Sequence, residues 1–497
     1  MVAETSLLCY QEGMTSEDLA TFIERRRRFV EAIGEGLAII PAAQETARNS
    51  DVSHVFRQNS DFYFLTGFDE PDAVAVLNPA HAKERFVLFV RPRDREMEIW
   101  NGHRAGVEGA VAQYGADAAY PVDQLDAKLR EYAIERTMVY YRLGNSAFDS
   151  RVIRLVSDLR AARSRGFTTP VRVEDPSPLL HDLRLRHSTA EIARERRACQ
   201  ISRDAHFEAM RFAQPGMYEY QVQAALEFVF RSQGSPRDAY PSIVASGANA
   251  CILHYVENQR RMEDGDLLLI DAGCEYGYHA ADITRTFPVN GRFTGPQRAV
   301  YEVVLKSQLA AIEAGKPGVR YEAIHEAARR VIAEGLVDLK LVPRSVADTL
   351  SMHHYREFFM HGTGHWLGMD VHDVGDYRVR QQSRALEPGM VFTVEPGIYI
   401  DPARESVTFH LREYSEEEMW ERRLRLGVTA AKKLEDEEKA KAQTVTHPIP
   451  KEFRGIGIRI EDDILVTPSG VENLTAGTPK TIEEVERTCA EAPRLPR

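Results

Sequence analysis

Four carboxylates stand at or near the ends of apolar, strand-like runs, and that placement constrains the fold more than any other feature of this chain. Asp271 closes Leu267-Leu268-Leu269-Ile270, and Glu395 closes Val391-Phe392-Thr393-Val394. Glu461 ends a run in which Ile456, Ile458 and Ile460 alternate with Gly455, Gly457 and Arg459. A period of two is a strand with distinct faces. Here one face is isoleucine, while the other leaves space and sets an arginine beside a carboxylate. Asp282 follows Asp271 by eleven residues, in Ala280-Ala281-Asp282-Ile283-Thr284. The segment 266–289 reads as an antiparallel hairpin turning at Glu275-Tyr276-Gly277-Tyr278. A lone Asp after a strand is usually a solvated strand end. Two gathered on one face of a hairpin repel unless a cation lies between them.

The other polar cluster is His361-Gly362-Thr363-Gly364-His365-Trp366-Leu367-Gly368-Met369-Asp370-Val371-His372-Asp373. His361 and His365 have the i, i+4 spacing of zinc-protease helices. Gly362 takes the place of the general-base Glu, however, and Gly364 weakens a helix, so glycines that let the backbone approach a ligand are the better reading. Four carboxylates and one imidazole make a hard, mostly oxygen donor set. It favours Mn2+, with Co2+, Fe2+, Mg2+ and Zn2+ as competitors. Two divalent cations would balance the four carboxylates and could activate a bridging hydroxide towards a carbonyl.

At 497 residues the chain calls for two or three domains. A net charge of -12 argues against a nucleic-acid surface. Arg25-Arg26-Arg27-Arg28 reads as the solvated face of an amphipathic helix over Ser16–Ile33, with Ser16 as its N-cap. Cys9, Cys199, Cys251, Cys274 and Cys489 are far apart and odd in number, which suits reduced thiols in the cytoplasm. No secretory signal or membrane helix is expected. Short apolar runs at 37–40, 73–77 and 86–90 alternate with helices, predicting an α/β sandwich in the first third. Glu174-Asp175-Pro176-Ser177-Pro178 marks a linker, and a helix capped by Ser188 and Glu191 follows over Thr189–Phe212.

With these residues in view the chain resembles the pita-bread (creatinase/aminopeptidase) metallopeptidases, and within them the aminopeptidase P (Xaa-Pro aminopeptidase) family. The motifs Asp271–Tyr276, Asp282–Val289, His365–Asp373, Thr393–Tyr399 and Gly457–Asp463 carry the likeness, together with Arg57–Phe68 in the first domain. The resemblance implies an α/β (α+β) protein. Residues 1–180 would form an N-terminal α/β domain with a mixed sheet, and 181–497 the catalytic domain. It implies Asp271 on one metal, Asp282 and Glu461 bridging both, and His365 and Glu395 completing the first metal's sphere. His254, His361 and His372 would lie in the active site, His372 at the scissile carbonyl. Arg459 would hold Asp271, and Trp100 would cover a neighbouring subunit's site in a dimer or tetramer. The expected activity is release of the N-terminal residue from peptides with proline second, by a hydroxide activated by two metals, Glu395 shuttling the proton. The nearest alternative is a prolidase, which cleaves Xaa-Pro dipeptides. A non-catalytic protein-binding pita-bread module is the alternative from another class, and it usually lacks the ligands.

One segment departs from the family, within an insertion at about 404–447. Residues 415–443 are densely charged, where close relatives carry a short loop. Trp420, Leu424, Val428, Ala431 and Leu434 recur at helical spacing. The spacing predicts one helix of roughly 40 Å docking by a thin apolar stripe. The bland reading is a solvated surface excursion; the sharper one is a lid or an intersubunit contact.

Overall fold

The computed structural model describes residues 16–413 and 415–496, apart from the side chains of residues 16, 17, 416 and 417. Cys9 and the Ser16 side chain therefore lie outside the described part. The chain forms two compact units, 1–185 and 186–497, which divide beyond the Pro-rich stretch. The stretch joins the strand Arg172–Glu174 to the helix Ser177–Arg184, which has Pro near its start.

The first unit is a mixed six-stranded sheet with helices packed on it. Its strands run in the order Ala118–Pro121, Phe86–Val90, Val74–Leu77, Leu37–Pro41, Met138–Tyr140, Arg172–Glu174. Leu37–Pro41 pairs antiparallel with Val74–Leu77 and parallel with Met138–Tyr140. Leu37, Ile39, Val76 and Phe89 pack against Leu125, Leu129, Tyr132, Val152 and Leu155 from the helices. The basic tract is not the solvated face expected of it, because Arg25 and Arg26 are buried. Arg25 donates to the Phe64 carbonyl at 3.2 Å and Arg26 to the Leu65 carbonyl at 2.9 Å. These are last-turn carbonyls of the helix Ser60–Thr66, which have no partner within that helix. The guanidinium of Arg25 also lies over the Phe64 ring and that of Arg26 over the Phe86 ring. Of the flanking pair, Arg27 is exposed and salt-bridged to Glu24.

The second unit mixes long helices with short antiparallel sheets. The helix Thr189–Phe212 begins with the expected capping box, and its buried face joins Val244, Leu268, Ile270 and Phe287 in one core. Leu267–Asp271 runs between Ile243–Ser246 and Thr284–Pro288. The hairpin turns at Gly277 and Tyr278, both with positive φ, as a tight hairpin turn requires. Val391–Val394 pairs with Asp462–Thr467, and Gly397–Tyr399 with Gly457–Arg459.

The charged segment is two helices, not one. Glu416–Leu426 and Val428–Lys441 are separated at Gly427, whose φ of 79° and ψ of 156° lie outside helical space. The pair stands on an antiparallel ribbon, Ser406–His410 with Thr444–Pro448. The uniform charge pattern hid a single glycine break, and folding back lets Glu438 meet both Arg412 and Arg422.

A buried ion pair lies at the start of the long helix Thr189–Phe212. His187 Nδ1 lies 2.8 Å from Glu195. Burial pulls the imidazole down, but the carboxylates of Glu195, Glu191 and Asp373 outweigh it and hold it up at about 9. In the unfolded chain the group titrates near 6.5. The stabilisation is therefore complete below about pH 6.5 and lost as pH rises towards 9, a span of roughly 3 kcal/mol. Denaturation midpoints measured from pH 6 to 9.5 should fall across that window, and the profile of His187→Gln, destabilised throughout, should be flatter.

Candidate active site

The hairpin and the two strand pairs point their carboxylates into one pocket. Asp271 sits opposite Ile243 and Thr284 in the three-stranded sheet. The hairpin ladder loosens just beyond it, and Asp282 projects from the return limb. Gly273 makes this possible: a Cβ there would lie 1.7 Å from the Ala281 carbonyl oxygen. Glu395 follows Val391–Val394, and its N–H is bonded to the Thr363 carbonyl, which ties it to the histidine loop. Glu461 lies in the break between Gly457–Arg459 and Asp462–Thr467, with its N–H on the Thr284 carbonyl.

The histidine loop lies beside this strand. A Cβ at Gly364 would lie 1.9 Å from the Thr393 carbonyl oxygen, so only glycine allows the close approach. His365 Nδ1 donates to the Trp366 carbonyl at 3.0 Å. That fixes the tautomer and leaves the Nε2 lone pair facing Asp282 at 3.4 Å and Glu395 at 3.8 Å. Ligand atoms of Asp282, His365 and Glu461 all lie within 4.8 Å of one another, close enough to hold a metal ion.

Arg459 is the buried counter-charge. It donates to Asp271 at 2.5 Å, to Thr284 Oγ1 at 3.0 Å and to Tyr399 Oη at 3.0 Å. Tyr399 passes the polarity on to His361 Nε2 at 2.9 Å, and His361 Nδ1 bonds the Gly362 carbonyl. Burial, followed by the charge of Arg459, holds His361 down at about 3, so it is a neutral imidazole. The His372 ring lies 4.2 Å from that of His365, and burial lowers its pKa as well. His254 is exposed on the loop after 247–251, beside a cavity of about 530 Å3. Trp100 is exposed on the helix Arg95–Asn101 of the first unit.

The carboxylates fit divalent cations. Burial, then the neighbouring carboxylates, push Asp282 and Glu461 well above the usual carboxylate range. Burial also raises Glu395, against the pull of His365 and Arg459. Tyr240 Oη lies 2.6 Å from Asp271 and 2.5 Å from Asp282. One hydroxyl proton can serve one carboxylate, so the second oxygen needs another positive partner. Arg459 alone cannot balance four carboxylates, and the site accordingly binds divalent metal.

Tyr240, Thr284 and Tyr399 were not singled out in the sequence. Thr284 Oγ1 donates to Glu461 at 2.7 Å. Thr284 and Tyr399 lie inside the motifs quoted above, but Tyr240, in Asp238-Ala239-Tyr240-Pro241, carries no signal of its own.

Residues 193–468 match Metallopeptidase family M24, and residues 22–140 match the aminopeptidase P N-terminal domain. The Xaa-Pro aminopeptidase of Escherichia coli K12 is 40% identical over 468 residues, covering 94% of this chain and 96% of that one. That of Haemophilus influenzae is 37% identical over 480 residues, covering 96% and 98%. The structure of Pseudomonas aeruginosa aminopeptidase PepP superposes with a TM-score of 0.84 at 44% identity, covering 95% of this chain and 98% of that one. Zn-substituted E. coli aminopeptidase P in complex with product gives 0.83 at 39% identity, covering 96% and 99%.

Gly273→Ala should force the hairpin limbs apart between Asp271 and Asp282. A loss of about 3 kcal/mol is expected from the unfolding midpoint, with weakened metal binding by calorimetry. The fold, the gathered carboxylates and these matches together place the chain in metallopeptidase family M24, with the two-domain organisation of the aminopeptidase P group.

Proposed function

We propose that the chain is an aminopeptidase that removes the N-terminal residue from peptides whose second residue is proline. The observation that carries this reading is the convergence of Asp271, Asp282, His365, Glu395 and Glu461 around Tyr240 and Arg459. The relatives named Xaa-Pro aminopeptidase, similar along nearly their whole length, support the proline specificity.

The five residues would hold two divalent cations. The oxygen-rich donor set favours Mn2+, and the Zn-substituted relative supports a site that also accepts zinc. Bound there, such cations supply Lewis-acid polarisation of the scissile carbonyl and lower the pKa of the attacking water. The protein's own groups do the rest. Glu395 takes a proton from the attacking water and returns it to the proline nitrogen as the bond breaks. That nitrogen carries no N–H in the substrate, so the pocket must recognise the ring rather than a donor. His372, its ring 4.2 Å from that of His365, would donate to the carbonyl oxygen. Neutral His361, held by Tyr399, orients its neighbours without adding charge. Arg459 fixes the Asp271 carboxylate by a direct hydrogen bond. His254 stands at the rim, where the peptide enters.

Among the described residues no helix is long and apolar enough to cross a membrane. The free thiols of Cys199, Cys251, Cys274 and Cys489 support a reducing, cytoplasmic setting. The exposed Trp100 and Ile99 support a homo-oligomer, dimer or tetramer.

The deciding assay incubates Mn2+-loaded protein with Xaa-Pro-Yaa peptides and with an Xaa-Pro dipeptide. Release of Xaa from the longer peptides is expected; cleavage of the dipeptide alone would make the protein a prolidase. Asp282→Ala should reduce turnover to background and remove the rise in unfolding midpoint that Mn2+ gives the wild type. Near-normal activity in that variant would contradict its role as a ligand.

A further inference from the structure

The inserted hairpin touches the catalytic unit on both sides of the histidine loop. Its ribbon contributes Val407 and Phe409 to the core that holds Tyr355, Phe358 and Phe359. His354 Nε2 donates to the His410 carbonyl at 2.9 Å. This is the segment that leads into His361. On the other side, the Arg378 guanidinium lies 5.8 Å from the centre of the Trp420 ring, at the head of the insertion. Arg378 follows Tyr377, whose ring stacks on Trp366 at 5.1 Å and whose oxygen accepts the Trp366 N–H at 2.8 Å. Trp366 is the neighbour of His365. Contacts therefore run unbroken from the insertion to the histidine loop.

The insertion is also braced internally. Arg422 meets Glu438 at 2.7 Å, Arg412 meets the same carboxylate at 2.5 Å, and Ala431 is buried between the helices and their surroundings. Trp420 and Leu424 on the first helix and Leu426 and Val428 beside the Gly427 break are apolar and exposed. A braced body fixed on the segments before and after the histidine loop is placed to restrict what reaches that loop.

We propose that the inserted helical hairpin, seated on the 374–384 loop through Trp420 and Arg378, is an outer wall of the substrate cleft that selects peptides by the length of chain beyond proline. The proposal rests on the aminopeptidase reading above. Three-residue peptides pass the wall freely; longer chains meet it, and the N-termini of folded proteins are excluded.

The ribbon allows a clean test. His410 pairs with Thr444, so residues 411–443 can be replaced by an Asn-Gly turn that closes the hairpin. The excised protein should cleave an Xaa-Pro-Yaa tripeptide within about twofold of wild type, while kcat/KM for a peptide of about ten residues rises about fivefold or more. Trp420→Ala should shift the same ratio in the same direction. An unchanged ratio of long to short substrate in both variants overturns the proposal. Amide exchange in residues 374–384 reads the seat without any turnover: it should quicken in Trp420→Ala, and equal rates overturn the anchoring. If wild type cleaves no Xaa-Pro peptide, the aminopeptidase reading fails and the length selection with it, whereas a failed exchange test leaves that reading standing.

Discussion

The mutual repulsion of Asp271, Asp282, Glu395 and Glu461 is the constraint on which the rest of the catalytic unit depends. Such groups are stable together only where positive charge and hydrogen-bond donors are fixed around them. Arg459 and Tyr240 supply part of that, and divalent cations the rest. Three close backbone approaches lie beside this arrangement. Gly273, Gly364 and Gly457 each let one backbone lie where a Cβ would strike a carbonyl oxygen.

A second buried network anchors the first from behind. Arg285 is fully buried and donates to Asp462 and to the Glu461 carbonyl. Asp462 also receives Gln308, Asn473 and Lys480. Burial alone would raise Asp462, but Arg285 and Lys480 drive it far below the usual carboxylate range. Carboxylates on adjacent residues thus take opposite roles. Asp462 is a structural anion saturated with donors, whereas Glu461 turns towards Asp282 and His365 and accepts from Thr284 Oγ1. Environment, rather than residue type, separates them.

Much of this was legible in the sequence. Apolar runs ending in carboxylates located the strands, because few other residues interrupt a buried strand at its last position. The capping box at Ser188 and Glu191 set the start of a long helix to the residue. The basic tract misled, since a run of arginines has no pattern that distinguishes a solvated face from one whose guanidiniums cap a distant helix. The charged insertion misled too. Its helical periodicity was correct on either side of Gly427, but periodicity carries no information on the direction of the next helix.

The amino-acid order by itself determined the family, the mixed α/β architecture, and which acids and histidines could meet, because strand period, turn residues and motif spacing are local properties. Only the tertiary structure decided how they meet. The neutrality of His361 beside Arg459, the Tyr240 hydroxyl between two carboxylates and the seat of Trp420 on Arg378 all join residues distant in the chain. Each depends on desolvation and on distances of a few ångströms, and those exist only once the chain has folded.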